Sequence, residues 1–138
     1  MVKNLIQSIF KMSSNKKKKV YADITFLREA ANDDLNFLFD MIKVFSEESK
    51  IYLQKLKELY LEERWSDFSE VSHKMKTTMM VVGINSIGEE LEQMEVYARQ
   101  KQYLDELPML ILKVAKACRE GEKELTKQLS DLCHARIG

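Results

Sequence analysis

The sequence predicts an all-α fold, an antiparallel four-helix bundle with a short extra N-terminal helix. Apolar residues recur at steps of three and four from Tyr21 onward, which is the spacing of one helix face. The 138 residues include only four Gly and one Pro, too few for the closely spaced turns of an all-β fold. The alternation of apolar and polar residues that marks a half-buried strand is missing from the sequence.

The composition divides the chain into two parts. Residues 1–20 are mildly apolar and then strongly basic at Lys16–Lys19, and they are predicted to form a flexible basic arm. This arm is either a solvated lead-in or a stretch that touches anionic lipid. Residues 21–138 are long enough for one domain with one core, and they are predicted to form the helical bundle.

The first two helices are predicted on either side of residues 32–34. A short helix runs from about Asp23 to Ala31, and a long helix follows it. Asn32 or Asp33 is the expected N-cap of the long helix, because these side chains accept hydrogen bonds from free backbone N–H groups. The expected buried stripe of the long helix contains Leu35, Leu38, Ile42, Phe45, Ser49, Tyr52, Leu56 and Leu59.

Three more helices complete the bundle. A third helix runs from near Trp65 to Val82, and Gly83 supplies the left-handed residue that ends it. Ser86 and Glu89 have capping-box spacing and predict the start of a fourth helix. Pro108 suits the first turn of a fifth. The expected core residues of the last two helices are Ile87, Leu91, Met94, Ala98, Ile111, Val114, Cys118, Leu125 and Leu129.

Charge and composition narrow the classes of function. Lys+Arg and Asp+Glu are 22 each, so the basic surplus typical of a nucleic-acid binder is missing. No apolar run approaches the ~20 residues of a membrane span. Cys118 and Cys133 form neither a disulfide framework nor a metal set. We therefore expect a cytoplasmic protein without a metal, a membrane span or a nucleic-acid partner.

One histidine of the third helix faces away from the predicted core. At about 100° per residue, Phe68, Val71, Met75, Met79 and Val82 lie roughly 120° to 180° from His73. The residues within about 60° of His73 are Ser66, Ser69, Glu70, Lys76, Thr77 and Met80. His73 is therefore expected to be exposed on a rigid helix. Met80 beside it indicates either a docking surface or one scattered apolar residue.

An exposed imidazole in this setting suits phosphoryl transfer. Imidazole in water is largely neutral near pH 7 and is then available as a nucleophile. Phosphoryl transfer needs positioning and charge stabilisation more than covalent assistance. Lys76 shares the face of His73 and can reach the transferred oxygens, Lys74 can assist at the edge, and the Ser69 hydroxyl is a candidate for orienting the ring.

The residues around His73 resemble a known family. His73-Lys74-Met75-Lys76, then Gly83, then Leu91 and the Met94-Glu95 pair are similar to the signature of the histidine-containing phosphotransfer (HPt) domain. That signature is His-x-Leu-Lys-Gly, followed by a Gly at the next helix boundary and a Leu/Glu-rich helix. Phe45, Leu53, Leu56 and Trp65 resemble the preceding part of the family pattern. The resemblance covers about residues 21–130.

The resemblance implies a function in multistep phosphorelays. It implies that His73 is the phosphoacceptor and that Lys76 stabilises the phosphoryl group. Family members carry phosphate between aspartates of response-regulator receiver domains, downstream of a hybrid sensor histidine kinase. They are phosphocarriers rather than kinases, and Mg²⁺ belongs to the partner receiver rather than to this chain. We expect a monomer whose partner-binding residues are Ser69, Glu70, Thr77 and Met80.

One position departs from the family pattern. Thr77 stands where the family usually has Gly, one turn from His73 and on the same face. A branched side chain there affects the approach of a receiver, and misplacement by about 1 Å can slow a reaction by roughly 10²-fold. The threonine hydroxyl could instead bond the phosphoryl group. The alternative function is a receiver-docking module that does not transfer phosphate.

A di-metal helical bundle is a rival hypothesis. Glu70-x-x-His73 has the Glu-x-x-His spacing of ferritin-like sites. Such sites need a second motif of the same kind and further inward carboxylates, whereas the only other histidine is His134 near the C-terminus. Glu70 and His73 are also predicted to point outward, which disfavours a metal site inside the bundle.

Overall fold

The computed structural model describes residues 20–137, and these are all-helical, with no strand. Of the predicted arm over residues 1–20, only Val20 lies inside the described residues. Five α-helices follow in chain order: α1 (Ile24–Ala31), α2 (Leu35–Leu61), α3 (Trp65–Val81), α4 (Gly88–Gln100) and α5 (Leu107–Ile137). Short 3₁₀ helices, Asn85–Ile87 and Leu104–Glu106, precede α4 and α5. No helix among the described residues is long and apolar enough to span a bilayer.

The four long helices contact one another in a ring. Helix α2 packs against α3 and α5, and α4 also packs against α3 and α5, while α1 covers α2 and α5. The predicted apolar stripes supply one shared core. The α2 stripe from Leu38 to Leu59 is buried, with Leu35 and Tyr52 partly buried. The predicted core residues of α3, α4 and α5 are all buried.

The N-terminus of α2 corrects one prediction. Asp34, and neither Asn32 nor Asp33, is the N-cap, and its Oδ1 accepts from the backbone N–H groups of Asn36 and Phe37 at 3.0 and 3.3 Å. Asn32 instead ends α1 in a left-handed conformation with φ 53°. The capping side chain is thus two residues after Asn32 and one after Asp33. Both of those residues have positive φ, 53° and 59°, whereas the N-cap Asp34 has the extended backbone that a capping residue adopts.

The start of α4 corrects another prediction. Helix α4 begins at Gly88, after the 3₁₀ turn, and no side chain caps it. The Ser86 hydroxyl donates instead to the backbone carbonyl of Tyr21 at 3.3 Å. The capping-box prediction was wrong because the Ser86 hydroxyl is hydrogen-bonded to a residue 65 positions away in sequence. Gly83, by contrast, has the expected positive φ of 81° after α3.

The segment before α1 is hydrogen-bonded to α5. The Glu124 carboxylate accepts from the backbone N–H groups of Tyr21 and Ala22, both at 2.8 Å. Gly121 lets the α3–α4 connection approach α5 closely, because a Cβ atom at that position would lie 2.9 Å from Cδ1 of Ile84, and Cβ of Ala22 would be 3.6 Å away. The segment and the α3–α4 connection therefore meet over one glycine of α5.

Candidate functional site

His73 lies at the middle of α3 on its solvent face. Its side chain is 64% exposed, whereas Phe68, Met75 and Met79 on the opposite side of the helix are fully buried. The predicted exposure is confirmed. The three buried residues anchor α3 in the core, so the imidazole is presented from a fixed backbone rather than from a loop.

The ring of His73 is held by a residue of α4. Nδ1 of His73 lies 2.7 Å from Oε1 of Glu95, whose side chain is only 15% exposed. An ionised carboxylate can only accept a hydrogen bond, so Nδ1 carries the proton and donates it. The lone pair of the neutral ring is then on Nε2, the nitrogen that points away from Glu95. The contact therefore leaves Nε2 as the ring nitrogen with the free lone pair.

Glu95 is itself held in place by two further contacts. Its second oxygen, Oε2, lies 2.8 Å from Nη2 of Arg99, one turn further along α4. The Ser69 hydroxyl donates to the Glu95 backbone carbonyl at 3.0 Å. These contacts fix both the carboxylate and the backbone beside His73. Glu95 thus links an ion pair with Arg99 to a hydrogen bond with the imidazole.

Ser69 therefore differs from its predicted role. It is predicted on the outer face, as a candidate for orienting the ring and for binding a partner, but it is 7% exposed and its hydroxyl donates to the backbone of α4. The packing of α4 against α3 buries Ser69 at this edge of the face. Glu95 orients the ring through its carboxylate, whereas Ser69 contacts only the backbone of Glu95.

The two predicted lysines each pair with a glutamate. Lys76 Nζ lies 3.7 Å from Oε2 of Glu92 on α4. Lys74 Nζ lies 3.1 Å from Oε1 of Glu70 on the same helix. Glu70, Lys74 and Glu92 are 61–62% exposed, whereas Lys76 is 30% exposed. Exposed pairs such as Lys74–Glu70 are worth about 0–1 kcal/mol, and the Lys76–Glu92 contact is long, at 3.7 Å. Both ammonium groups can therefore leave their partners at little cost.

Thr77 lies one turn from His73 and is exposed. Its hydroxyl donates to the His73 backbone carbonyl at 3.3 Å, so the Oγ1 atom points back along the helix. The methyl group is the part of this side chain that differs most from the glycine of the family pattern. Met80, another predicted surface residue of this face, is 49% exposed.

Two grooves flank His73. A polar groove of about 480 Å³ is lined by Ser66, Ser69, Glu70, His73, Glu95, Ala98, Arg99 and Lys101. An apolar groove of about 450 Å³ between α2 and α3 is lined by Phe37, Asp40, Met41, Val44, Thr77, Thr78, Val81 and Val82. Thr77 is thus the residue that lies between the histidine and the apolar groove, and Met80 is beside this groove rather than in its wall.

The surroundings of Glu70 give no support to the di-metal hypothesis. Its carboxylate faces Lys74, and its side chain is exposed. Within residues 20–137, no group of three or more His, Cys, Asp or Glu side chains is placed to hold a metal ion. His134 is exposed on α5.

Glu95 and Arg99 had no role in the sequence-based site. Glu95 was recognised only as part of the family pattern, and Arg99 was not singled out. The one local signal is their spacing of four residues, which places both on one face of a helix. Their relation to a histidine 22 residues away from Glu95 depends on how α3 and α4 pack.

Comparisons with known proteins give no relative of this chain. No protein-family model matches the chain, and no curated protein or solved structure is significantly similar to it.

Proposed function

We propose that this chain is a histidine phosphotransfer protein of the HPt type. It accepts a phosphoryl group on His73 from the phospho-aspartate of one receiver domain and passes it to an aspartate of another. The observation that carries this proposal is the 2.7 Å contact of Nδ1 with Glu95 beneath a 64% exposed imidazole. In the neutral ring that contact leaves the lone pair on Nε2, as an attacking nitrogen requires.

The transfer step is a displacement at phosphorus. Nε2 of His73 attacks the phosphorus atom, the bond between phosphorus and the aspartyl oxygen breaks, and the aspartate leaves as a carboxylate. The ring becomes positively charged while Nδ1 keeps its proton, and the Glu95 carboxylate stabilises that charge. In the second step an aspartate of another receiver attacks the same phosphorus, and His73 leaves as a neutral imidazole.

The cations near His73 suit a transferred phosphoryl group. Lys76 is the proposed stabilising residue and Lys74 an auxiliary charge, each released from an exposed glutamate. Arg99 acts through Glu95, because its guanidinium binds the oxygen that His73 does not use. Mg²⁺ is expected on the partner receiver, so this chain needs to supply only the nucleophile and the positive charge.

The proposed architecture is the antiparallel four-helix bundle of that family. Its support is the ring of contacts among α2, α3, α4 and α5, together with connections short enough for consecutive helices to run in opposite directions. Residues 62–64 join α2 to α3, for example. In this arrangement the receiver approaches the face formed by His73, Thr77 and the apolar groove, with Glu70 and Met80 at its border.

The partners and setting of the chain follow from this proposal. Response-regulator receiver domains and an upstream hybrid sensor histidine kinase are the expected partners, the chain works as a monomer, and the location is cytoplasmic. Thr77 favours one competing function, a docking module without transfer. Its branched side chain stands between His73 and the apolar groove, where a receiver must come close for the reaction to occur.

A labelling experiment separates the two functions. The chain is incubated with receiver domains phosphorylated by a radiolabelled donor, and acid-labile label on the chain is measured. We expect label on the parent and on His134→Gln, which alters the other exposed histidine, and none on His73→Gln with an unchanged circular dichroism spectrum. Binding of the receivers without label on the parent would identify the docking module.

A further inference from the structure

The polar groove continues past His73 to the C-terminal end of α4. Arg99 and Lys101 line it there, opposite Ser66 and Glu70 on α3. The proposed transfer reaction uses the His73 end of this groove and assigns no role to Lys101.

Lys101 projects from a well-defined backbone position. It ends α4 in the left-handed conformation, with φ 56°. Its N–H donates to the Ala98 carbonyl at 3.3 Å, and the N–H of Gln102 donates to the Tyr97 carbonyl at 3.0 Å. This capping arrangement fixes the Cα atom of Lys101 at the groove, so that only the side chain has freedom to move.

In the resting chain, each carboxylate that lines the groove has an ion-pair partner. Both oxygens of Glu95 are engaged, by His73 and Arg99, and Glu70 is paired with Lys74. Within the described part of the chain, Lys101 has no ion-pair partner, in contrast to Lys74 and Lys76. Arg99 has further N–H groups beyond the nitrogen that Glu95 binds. The unmatched charge at this end is therefore positive.

We propose that this cationic end of the groove, Arg99 and Lys101, binds an acidic surface segment of the partner receiver domain. Lys101 is then a specificity-determining residue for docking, and it does not touch the reacting atoms. The identity of the partner rests on the proposed function. The apolar groove lies on the other side of His73, so two contacts of different chemistry would fix the orientation of the partner across the histidine.

A purely structural role for Lys101 makes a different prediction. A cation at a helix C-terminus stabilises the helix by about 0.3–1 kcal/mol through the helix dipole. If this were its only role, charge reversal would lower the thermal stability and leave receiver affinity unchanged. Affinity and its dependence on salt are therefore the measurements that separate the two roles.

The test measures receiver binding in the His73→Gln chain, where no transfer can occur. Fluorescence anisotropy of labelled receiver domains gives Kd at low and high ionic strength for that chain and for versions carrying Lys101→Glu, Lys101→Gln or Lys113→Glu. Lys113 is exposed on α5 and does not line the groove, so its reversal is the matched control. We expect Kd at low salt to rise about tenfold for Lys101→Glu and less for Lys101→Gln.

Each result has a defined meaning. High salt should reduce the difference between Lys101→Glu and its parent, because screening weakens exposed charge pairs. Equal Kd values for Lys101→Glu and Lys113→Glu would overturn the inference. If no receiver binds the parent, the docking site and the proposed function fail together. Receiver binding that depends on Lys101, without label on His73, would leave the docking site valid and refute only the transfer.

Discussion

Oε1 of Glu95 lies 2.7 Å from Nδ1 of His73, across the contact between α4 and α3. The carboxylate is mostly covered by protein, whereas the ring is mostly exposed. A partly buried acceptor beneath an exposed ring fixes both the tautomer and the direction of the free nitrogen. The second oxygen of the same carboxylate forms an ion pair with Arg99, so the exposed ring rests on side chains that are themselves held in place.

We expect Glu95→Ala to remove the preference for a proton on Nδ1 of His73 and to slow transfer by about tenfold to hundredfold. Glu95→Gln should have a smaller effect, because an amide oxygen still accepts from Nδ1 but has no charge to stabilise the ring. Nitrogen NMR of the imidazole reports the tautomer, and single-turnover labelling reports the rate. A parent protein with the proton on Nε2 would contradict the assignment of the nucleophile.

Lys76→Ala should slow transfer by about tenfold while leaving the fold intact. The ammonium group is then missing at the phosphoryl oxygens, and only a 3.7 Å ion pair with the exposed Glu92 is lost from the resting state. Lys74→Ala is the matched comparison and should have a smaller effect, since Lys74 lies at the edge of the face. Circular dichroism provides the control for folding, and equal rates for Lys76→Ala and the parent would refute the role of Lys76.

We expect Val81→Glu to weaken receiver binding by about tenfold or more, because it places a charge in the wall of the apolar groove. Met80→Glu should also weaken binding, but less, since Met80 lies beside the groove. Ile51→Glu on α2 is the control, as Ile51 is 59% exposed and lies outside the groove. Titration calorimetry gives the affinities. An unchanged affinity for Met80→Glu would class this residue as a scattered surface side chain.

Burial, with a smaller contribution from Glu122, raises the pKa of Cys118 from 9.0 to about 12. We therefore expect Cys118 to resist alkylation by iodoacetamide at pH 8.5 in the folded chain and to react once urea unfolds it. The folded state also binds this proton more tightly than the unfolded state. Its stabilising effect is complete below pH 9 and is lost as the pH rises toward 12.

Mass spectrometry of the alkylated chain tests the first part of this prediction. Urea unfolding of the parent and of Cys118→Ala at pH 8 and pH 10.5 tests the second part. The parent should lose more stability than the variant over this range. Alkylation of Cys118 in the folded chain at the rate seen in urea would contradict its burial.

The sequence alone determined the helices, their inward faces and the exposure of His73. These features are local, because the period of about 3.6 residues per turn orients every side chain of a helix relative to its neighbours. Local rules were less successful at helix ends. Ser86 had the right type and spacing for a cap, but the backbone of Tyr21 takes its hydroxyl.

Only the tertiary structure decided which group holds His73. Glu95 and Arg99 share a face of α4 by their spacing, yet their position over α3 depends on the rotation and depth of packing between the two helices. That packing is set by the buried side chains of both elements together, such as Met75 and Met94, and no short stretch of sequence contains it. The histidine could thus be predicted from one helix, whereas the carboxylate that orients it required two.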